Sequence, residues 1–209
     1  MAYLEHMLKS VAQGSATRDR ILDAALATLR RDGFARTSAR SIARTGEFNQ
    51  ALIFYHFGSV NDLLLAALDR ISALRMARYR EVLGTASNLA ELARHGRTLY
   101  LEDIASGHST VLAELLAASS GNSPLRDEML KRMRPWLEFT EDFIAQFFEG
   151  SPLSALVDAR AASTTLLALY IGLDVVIHLE QDSSRATAVF DAGDRVAAAL
   201  GALLGGAAP

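Results

Sequence analysis

Cysteine is absent from this chain of 209 residues, and proline and lysine are scarce. Without a thiol the chain can form neither a disulfide scaffold nor a cysteine-ligated zinc site, so a reducing compartment suits it and we expect a cytoplasmic protein. It contains only 4 prolines, so long helices can run without interruption. The only lysines are Lys9 and Lys131, and arginine therefore supplies most of the positive charge.

Signal-peptide and transmembrane patterns are also lacking. The first residues do not combine a basic segment with a sustained apolar stretch, so we expect no signal peptide. The most apolar segment, residues 166–179, is short for a bilayer span and contains Asp174 and His178. This composition predicts a buried helix and no membrane partner.

No motif of a known catalytic or cofactor site is present. The sequence has no phosphate-binding glycine loop, dinucleotide fingerprint, His-Glu-x-x-His pair or nucleophile elbow, so we expect no enzyme and no cofactor. Asp174, His178 and Asp182 follow one another at helical spacing and carry groups that can ligate metals. A hydrogen-bond or ion-pair stripe between subunits explains them as well, and no second ligand cluster accompanies them. We therefore predict no metal site.

The charge is unevenly distributed. Residues 1–58 hold 8 basic against 5 acidic side chains, whereas the remainder holds 13 against 19. A basic N-terminal segment favours contact with nucleic-acid phosphates, although a difference of this size alone is weak evidence.

The N-terminal pattern predicts three short-to-medium helices and then a long one. Apolar residues recur at helical spacing from a helix start near Thr17, and Gly33 is expected to end that helix in the left-handed conformation. Thr37 and Ser38 open a second helix, the turn spans residues 46–48, and Asn49 caps a third helix over residues 50–57. Ser59 with Asp62 resembles a capping box for the long helix. This arrangement is typical of a helix-turn-helix.

The rest of the chain is also predicted to be helical, at about residues 89–106, 110–118, 124–148, 154–180 and 185–204. Strand-like alternation of useful length does not occur. The fold class expected is all-α: a three-helix N-terminal helix-turn-helix domain followed by a helical domain.

Residues 37–64, TSARSIARTGEFNQALIFYHFGSVNDLL, resemble the TetR family of bacterial regulators. The family's DNA-binding domain has a threonine, an Ile-Ala pair, a turn, a short helix ending in an aromatic-rich His-Phe, a serine and a leucine-rich helix, all matched here without gaps. The resemblance implies a DNA-binding domain over residues 1–58, with an arm at 1–16, and a C-terminal ligand-binding and dimerisation domain over 59–209.

The resemblance, together with helix geometry, gives candidate DNA contacts. Gln50 can pair with adenine, Leu52 can pack on a thymine methyl, and Arg40 can read guanine. The full candidate set is Thr37, Ser38, Arg40, Arg44, Asn49, Gln50, Ala51, Leu52, Tyr55 and His56.

Three positions depart from the family pattern. Glu47 stands where the turn glycine is usual, so either the turn shifts or Glu47 adopts a backbone conformation that favours glycine. Phe54 replaces a tyrosine and Val60 a lysine, which removes two phosphate contacts.

The C-terminal region supplies candidate ligand and dimer residues. Aromatic and polar side chains suited to an apolar cavity are Tyr100, Asp103, His108, Trp136, Phe139, Phe143, Tyr170 and Asp174. The last two helices are more apolar than one solvated face permits, so we expect a four-helix interface between two subunits. Its candidate residues are Leu166, Leu169, Leu173, Val176, Val189, Val196 and Leu200.

The function predicted is that of a homodimeric transcriptional repressor, which binds an inverted-repeat operator in double-stranded DNA and is released by a small-molecule effector. Two alternatives stay open: a ligand-binding protein whose DNA-binding domain is weakened, and a DNA-binding protein without a ligand.

Overall fold

The computed structural model describes residues 2–180 and 182–205, with side chains for residues 13–203 apart from 181. The described residues form nine α-helices and two short 3₁₀ turns, and the all-α fold class is confirmed. The helices are α1 (Ala2–Asp32), α2 (Ala39–Gly46), α3 (Ala51–Phe57), α4 (Val60–Leu83), α5 (Leu89–Ser106), α6 (His108–Ser119), α7 (Ser123–Phe148), α8 (Ala159–Glu180) and α9 (Ser184–Gly205).

The chain divides into two compact units. Unit 1 comprises the described part of Met1–Ser72 together with Glu114–Glu128, and unit 2 comprises Ala73–Ala113 with the described residues from Met129 onward. Helices α4, α6 and α7 contribute residues to both units. These units are defined by contacts between residues and not by a single cut in the chain. The predicted boundary between a DNA-binding domain and a C-terminal domain, after Gly58, stays a prediction.

Unit 1 is held by a small apolar core. Its fully buried large side chains are Ile21, Leu22, Leu29, Ile42, Ile53, Leu63, Leu64, Leu68 and Leu115. The buried hydroxyl of Thr28 donates to the carbonyl of Ala24 at 2.8 Å and to the Thr45 hydroxyl at 2.9 Å, which ties α1 to α2. A carboxylate oxygen of Glu114 accepts from the backbone N–H of Phe34 at 2.6 Å.

Unit 2 combines apolar packing with ion pairs. Helix α5 packs along α9, and the Arg97 guanidinium on α5 lies 2.7 Å from the Asp191 carboxylate and 3.3 Å from that of Asp194 on α9. A buried cluster of Tyr100, Leu173 and Ala186 joins α5, α8 and α9.

Three predicted helix ends differ from the structure. Helix α1 begins at Ala2 rather than near Thr17, because no proline interrupts the preceding segment. Helix α8 begins at Ala159 rather than at 154, because the Asp158 carboxylate accepts from the backbone N–H of Ala161 at 3.0 Å and caps the helix there. Gly33 has the expected positive φ of 74°, but its ψ of 170° is extended rather than left-handed helical.

Candidate functional site

Helix α2 begins with a reciprocal hydrogen-bond cap. The Ser38 hydroxyl accepts from the backbone N–H of Ser41 at 3.2 Å, and the Ser41 hydroxyl accepts from the backbone N–H of Ser38 at 2.8 Å. The neighbouring Thr37 hydroxyl donates to the carbonyl of Gly33 at 2.7 Å. The hydroxyls of Thr37 and Ser38 therefore form hydrogen bonds with the backbone at the start of α2. The phosphate contacts expected of these two residues stay predictions.

The turn between α2 and α3 contains a residue other than glycine with positive φ. Glu47 has φ 53° and ψ 48°, so the second of the two alternatives for this turn is the one observed. A Cβ on Gly46 would lie 2.2 Å from the Phe48 ring and 2.8 Å from the Ala24 Cβ. Gly46 is therefore needed because it has no Cβ, which leaves room for the Phe48 ring. The left-handed conformation in this turn is adopted by Glu47 instead.

Helix α3 is anchored through one side. Ile53 is fully buried, and Phe57 is half-buried with the Arg18 guanidinium 4.8 Å from its ring centroid. The Asn49 side chain accepts from the backbone N–H of Ala51 at 2.9 Å, and Gly58 ends the helix with φ 80°. Gln50 therefore lies just before the first turn of α3 rather than within it.

The opposite side of α3 faces solvent. Tyr55 is 81% exposed and Gln50 and Ala51 are exposed, whereas Leu52 and His56 are half-buried. The sequence reasoning missed Phe54, which is 51% exposed beside Tyr55. The spacing could have indicated this: a helix turns by about 100° per residue, so when Ile53 and Phe57 face the core, Phe54 lies to one side of that face.

Two arginines of α2 accompany this exposed face. Arg40 and Arg44 are exposed, and neither forms an ion pair or hydrogen bond within the part of the chain that the structure describes. By contrast, the Arg36 side chain donates to the carbonyl of Asp32 at 2.9 Å. Arg40 therefore has no interaction to break before it binds phosphate or a guanine edge, whereas the charge of Arg44 already interacts with the Asp32 carboxylate.

In unit 2, several predicted ligand residues surround one carboxylate. Asp103 is 1% exposed; it pairs with the Arg75 guanidinium and accepts hydrogen bonds from the hydroxyls of Tyr79 at 2.7 Å and Tyr170 at 3.0 Å. The His108 Nδ1 lies 3.3 Å from the Tyr170 hydroxyl. Burial, followed by the charge of Asp103, raises the pKa of Tyr79 and of Tyr170. Sequence reasoning did not identify Arg75 and Tyr79, because α4 carries no pattern that marks them.

Further aromatic residues adjoin these groups. Trp136 packs edge-on against Tyr79 with ring centroids 5.3 Å apart, and Tyr100 packs edge-on against Tyr170 at 5.5 Å. Asp174 is also buried. We define the Asp103 cluster as Arg75, Tyr79, Tyr100, Asp103, His108, Trp136, Tyr170 and Asp174.

Phe139 and Phe143 lie elsewhere in unit 2. With Phe147 they line a cleft of about 690 Å³ between α7 and the end of α4, hereafter the phenylalanine cleft. The Arg80 guanidinium lies 5.3 Å from the Phe139 ring centroid. The lining includes none of the Asp103 cluster, so the structure divides the predicted ligand residues between two places.

Several predicted dimer residues are exposed apolar side chains. Leu166 is 49% exposed and Val196 58%, Leu169 and Val189 are also exposed, and Val176 and Leu200 are half-buried. Leu173 is corrected: it is 7% exposed and packs on Tyr100 and Ala186 in the same subunit, so we assign it to the core.

Among the described helices, α8 is long and apolar enough to cross a membrane by length and composition, and α3 with α4 would pass the same test only as a pair bent by 64°. Only 17% of the apolar window of α8 is buried. Most of this apolar window is therefore at least partly exposed in the described structure.

The predicted helical stripe of Asp174, His178 and Asp182 does not form. Helix α8 ends at Glu180, and the Asp182 carboxylate instead accepts from the backbone N–H of Ser184 at the start of α9, at 3.0 Å. In the described ranges, no group of three or more potential ligand side chains is arranged to hold a metal ion.

Comparison with known proteins agrees with this geometry. Residues 21–67 match the family model of the bacterial regulatory proteins, tetR family. No curated protein sequence is significantly similar to the chain.

Solved structures share the fold over most of their length. A TetR transcriptional regulator from Legionella pneumophila is 18% identical with a TM-score of 0.69, the alignment covering 87% of this chain and 97% of that one. The fatty acid degradation regulator FadR from Bacillus halodurans is 16% identical with a TM-score of 0.72, covering 86% and 93%. A transcriptional regulator from Saccharomonospora viridis, solved in complex with choline, is 26% identical with a TM-score of 0.64, covering 79% and 86%.

Proposed function

Because the chain carries the N-terminal domain of the tetR family of bacterial regulatory proteins, we propose that it is a repressor that binds a specific operator and is released by a small molecule. The observation that carries the proposal is the exposed side of α3, with Gln50 and Tyr55, beside the exposed and unpaired Arg40 and Arg44 of α2. Surfaces of this kind bind DNA, since base edges and phosphates need unengaged donors.

The proposed contacts fall into two groups. Gln50 and Ala51, at the start of α3, and Arg40 face base edges in the major groove, where Gln pairs with adenine and Arg with guanine. Arg44, Tyr55 and the half-buried His56 contact phosphates, which fix the orientation of the protein on the duplex.

We place the dimer interface on α8 and α9. Their exposed apolar side chains, including Leu166 and Val196, would form a four-helix interface with the same surface of a second copy. A two-fold axis sets two copies of α3 about one DNA turn apart, so the operator is an inverted repeat.

The effector is assigned to unit 2, in the Asp103 cluster or the phenylalanine cleft. Helix α4 supplies Arg75 and Tyr79 to the first and Arg80 to the second, and it begins at Val60, three residues after α3 ends at Phe57. A ligand that shifts α4 thereby reaches the DNA-binding helices through one element, with a coupling free energy of about 1–3 kcal/mol. The choline complex of the Saccharomonospora viridis regulator supports effector binding by this fold.

The experiment is selection of purified full-length protein against random duplex DNA, with the enriched sequence measured again over a series of salt concentrations. The proposal expects an inverted repeat, two subunits per site, and affinity that falls steeply with salt because phosphate contacts release counterions. Recovery of no sequence would favour the second candidate, a ligand-binding protein whose DNA contacts were lost at Phe54 and Val60.

A further inference from the structure

One arginine of α1 lies against the end of α3. The Arg18 guanidinium carbon is 4.8 Å from the centroid of the Phe57 ring, and Phe57 is the last residue of α3. The negative face of an aromatic ring attracts a guanidinium and holds it in place. Both residues belong to unit 1. Helix α1 therefore places a positive charge at the C-terminal end of the helix that is proposed to enter the major groove.

The charge of Arg18 is not neutralised by a carboxylate. Its side chain is exposed, and it forms no ion pair or hydrogen bond within the part of the chain that the structure describes. The acidic residues nearest to it in the sequence, Asp19 and Asp23, both pair with Arg70 of α4. The contact with Phe57 uses none of the guanidinium N–H groups in a hydrogen bond, so these donors stay available for an anion.

The residue next to Phe57 is one of the proposed phosphate contacts. The ring centroids of His56 and Phe57 lie 6.4 Å apart, and Tyr55 packs edge-on against His56 with centroids 5.0 Å apart. These contacts run from the exposed side of α3 through Phe57 to Arg18. A DNA backbone that passes His56 therefore passes close to the Arg18 guanidinium.

Helix α3 has no cation of its own other than a protonated histidine. Its seven residues include neither lysine nor arginine, and Phe54 and Val60 stand where the family has a tyrosine and a lysine that contact phosphates. Affinity for DNA depends strongly on the neutralisation of phosphates by lysine and arginine. A guanidinium from α1 supplies this charge beside a helix that lacks it.

We propose that Arg18 of α1 binds a phosphate of the operator backbone next to the one that His56 contacts. Phe57 is a positioning residue, because its ring holds the guanidinium where it can donate charge-assisted hydrogen bonds to phosphate oxygens. The contact raises affinity without changing base preference, since phosphates carry no direct sequence information. The inference rests on the proposed DNA-binding function and adds a third helix to the contacts of α2 and α3.

The test is the salt dependence of operator binding, measured by fluorescence anisotropy with the full-length protein and the operator recovered by selection. In Arg18→Gln, the slope of log affinity against log salt concentration should become shallower by about 1.8, which is about 0.9 for each subunit of a dimer. The affinity ratio between the operator and single base-pair variants of it should stay that of the parent. An unchanged slope in Arg18→Gln overturns the proposal.

Two further variants separate a phosphate contact from a general effect of charge. Arg18→Lys keeps the positive charge and should keep the slope of the parent. Arg20→Gln is the matched control, because Arg20 is an exposed arginine of the same helix that lies 5.7 Å from the Phe48 ring centroid and shares a groove with the carboxylates of Asp23 and Glu47. If Arg20→Gln lowers the slope as much as Arg18→Gln does, net charge explains the result and the assignment of Arg18 is wrong.

A double-mutant cycle tests the role of Phe57. Phe57→Leu removes the ring and no charge, so operator affinity should fall by about two- to fivefold per subunit while the salt slope stays that of the parent. In the Arg18→Gln background the same change should cost no further affinity, because no guanidinium is left to position. An equal loss in both backgrounds, with folded variants shown by their thermal unfolding, would contradict the positioning role.

The same experiments distinguish failure of this inference from failure of the proposed function. If selection recovers no operator, the DNA-binding function fails and this inference fails with it. If the parent binds an operator and Arg18→Gln keeps the parent slope, this inference alone fails.

Discussion

Arginine and tyrosine side chains occur in both units in contrasting environments. In unit 1, Arg40 is exposed without an ion pair in the described structure, and Tyr55 is 81% exposed. In unit 2, the Arg75 side chain is 13% exposed and pairs with Asp103, and Tyr79 donates to the same carboxylate. The residue type alone thus does not reveal its role; its burial and partners do.

The two units also differ in what holds them together. The fully buried large side chains of unit 1 are apolar, and its turn depends on close packing at Gly46. Unit 2 buries charges and phenols in addition to apolar side chains. We therefore expect the stability of unit 1 to be most sensitive to substitutions that change the size of a side chain. The stability of unit 2 should be most sensitive to substitutions that remove a charge.

The largest effect is expected from Asp103→Asn. Loss of the carboxylate leaves the buried Arg75 with the half-buried Glu102 as its remaining ion-pair partner, and it weakens the hydrogen bonds from Tyr79 and Tyr170. The free energy of unfolding in urea should fall by about 3–5 kcal/mol. Asp142→Asn, at an exposed carboxylate, is the control and should change it by less than about 0.5 kcal/mol. If both variants changed the free energy of unfolding by a similarly small amount, unit 2 would not depend on its buried charges.

Gly46→Ala should destabilise unit 1 by about 1–3 kcal/mol, because the new methyl collides with the Phe48 ring and with Ala24. The matched control is Gly14→Ala in α1, where a Cβ meets nothing within 4 Å and the helix gains stability. Thermal unfolding of both variants gives the comparison. If Gly46→Ala behaves as Gly14→Ala does, the turn does not depend on close packing.

Alkaline pH should destabilise the protein through unit 2. The pKa values of Tyr79, Tyr100 and Tyr170 are raised in the folded state, so their contribution is complete below the unfolded value of about 10 and is lost as the pH rises above it. Each group lowers the free energy of unfolding by up to about 1.4 kcal/mol per pH unit in that range. Urea unfolding from about pH 9 to about pH 11 should show a shallower decline for Tyr100→Phe. An equal decline in the variant and the parent would argue against a raised pKa for Tyr100.

Glu47→Gly should have the smallest effect and the opposite sign. Glycine adopts the left-handed conformation at this position without a Cβ penalty, so the free energy of unfolding should rise by about 0.5–1 kcal/mol. The same denaturation experiment measures it. A loss of stability would mean that the Glu47 side chain contributes more than its backbone strain removes.

Local patterns in the sequence predicted much of the fold. Helix α5 has the bounds that its pattern gave, and Ser38 and Ser59 accept the capping hydrogen bonds expected of them. These features depend on neighbouring residues alone. The start of α1 was wrong because a capping residue such as Thr17 does not end a helix that is already running.

Contacts between distant segments were beyond the same reasoning. The sequence could not separate Phe139 from Asp103, since both lie on amphipathic helices whose patterns do not show which neighbouring helix each side chain faces. It also could not reveal that Leu173 packs in its own subunit, or that the Cβ missing at Gly46 makes room for Phe48. Each of these depends on which helix faces of the folded chain meet.

If the exposed side of α3 and the unpaired arginines of α2 bind DNA, charge reversal at Arg40 should weaken that binding. Affinity for the selected operator is measured by fluorescence anisotropy for Arg40→Glu and for Arg134→Glu, an exposed arginine of α7 that serves as the matched control. Arg40→Glu should lose about 1–3 kcal/mol of binding free energy, whereas Arg134→Glu should bind as the parent does. Equal affinity of Arg40→Glu and the parent would contradict DNA binding by this surface.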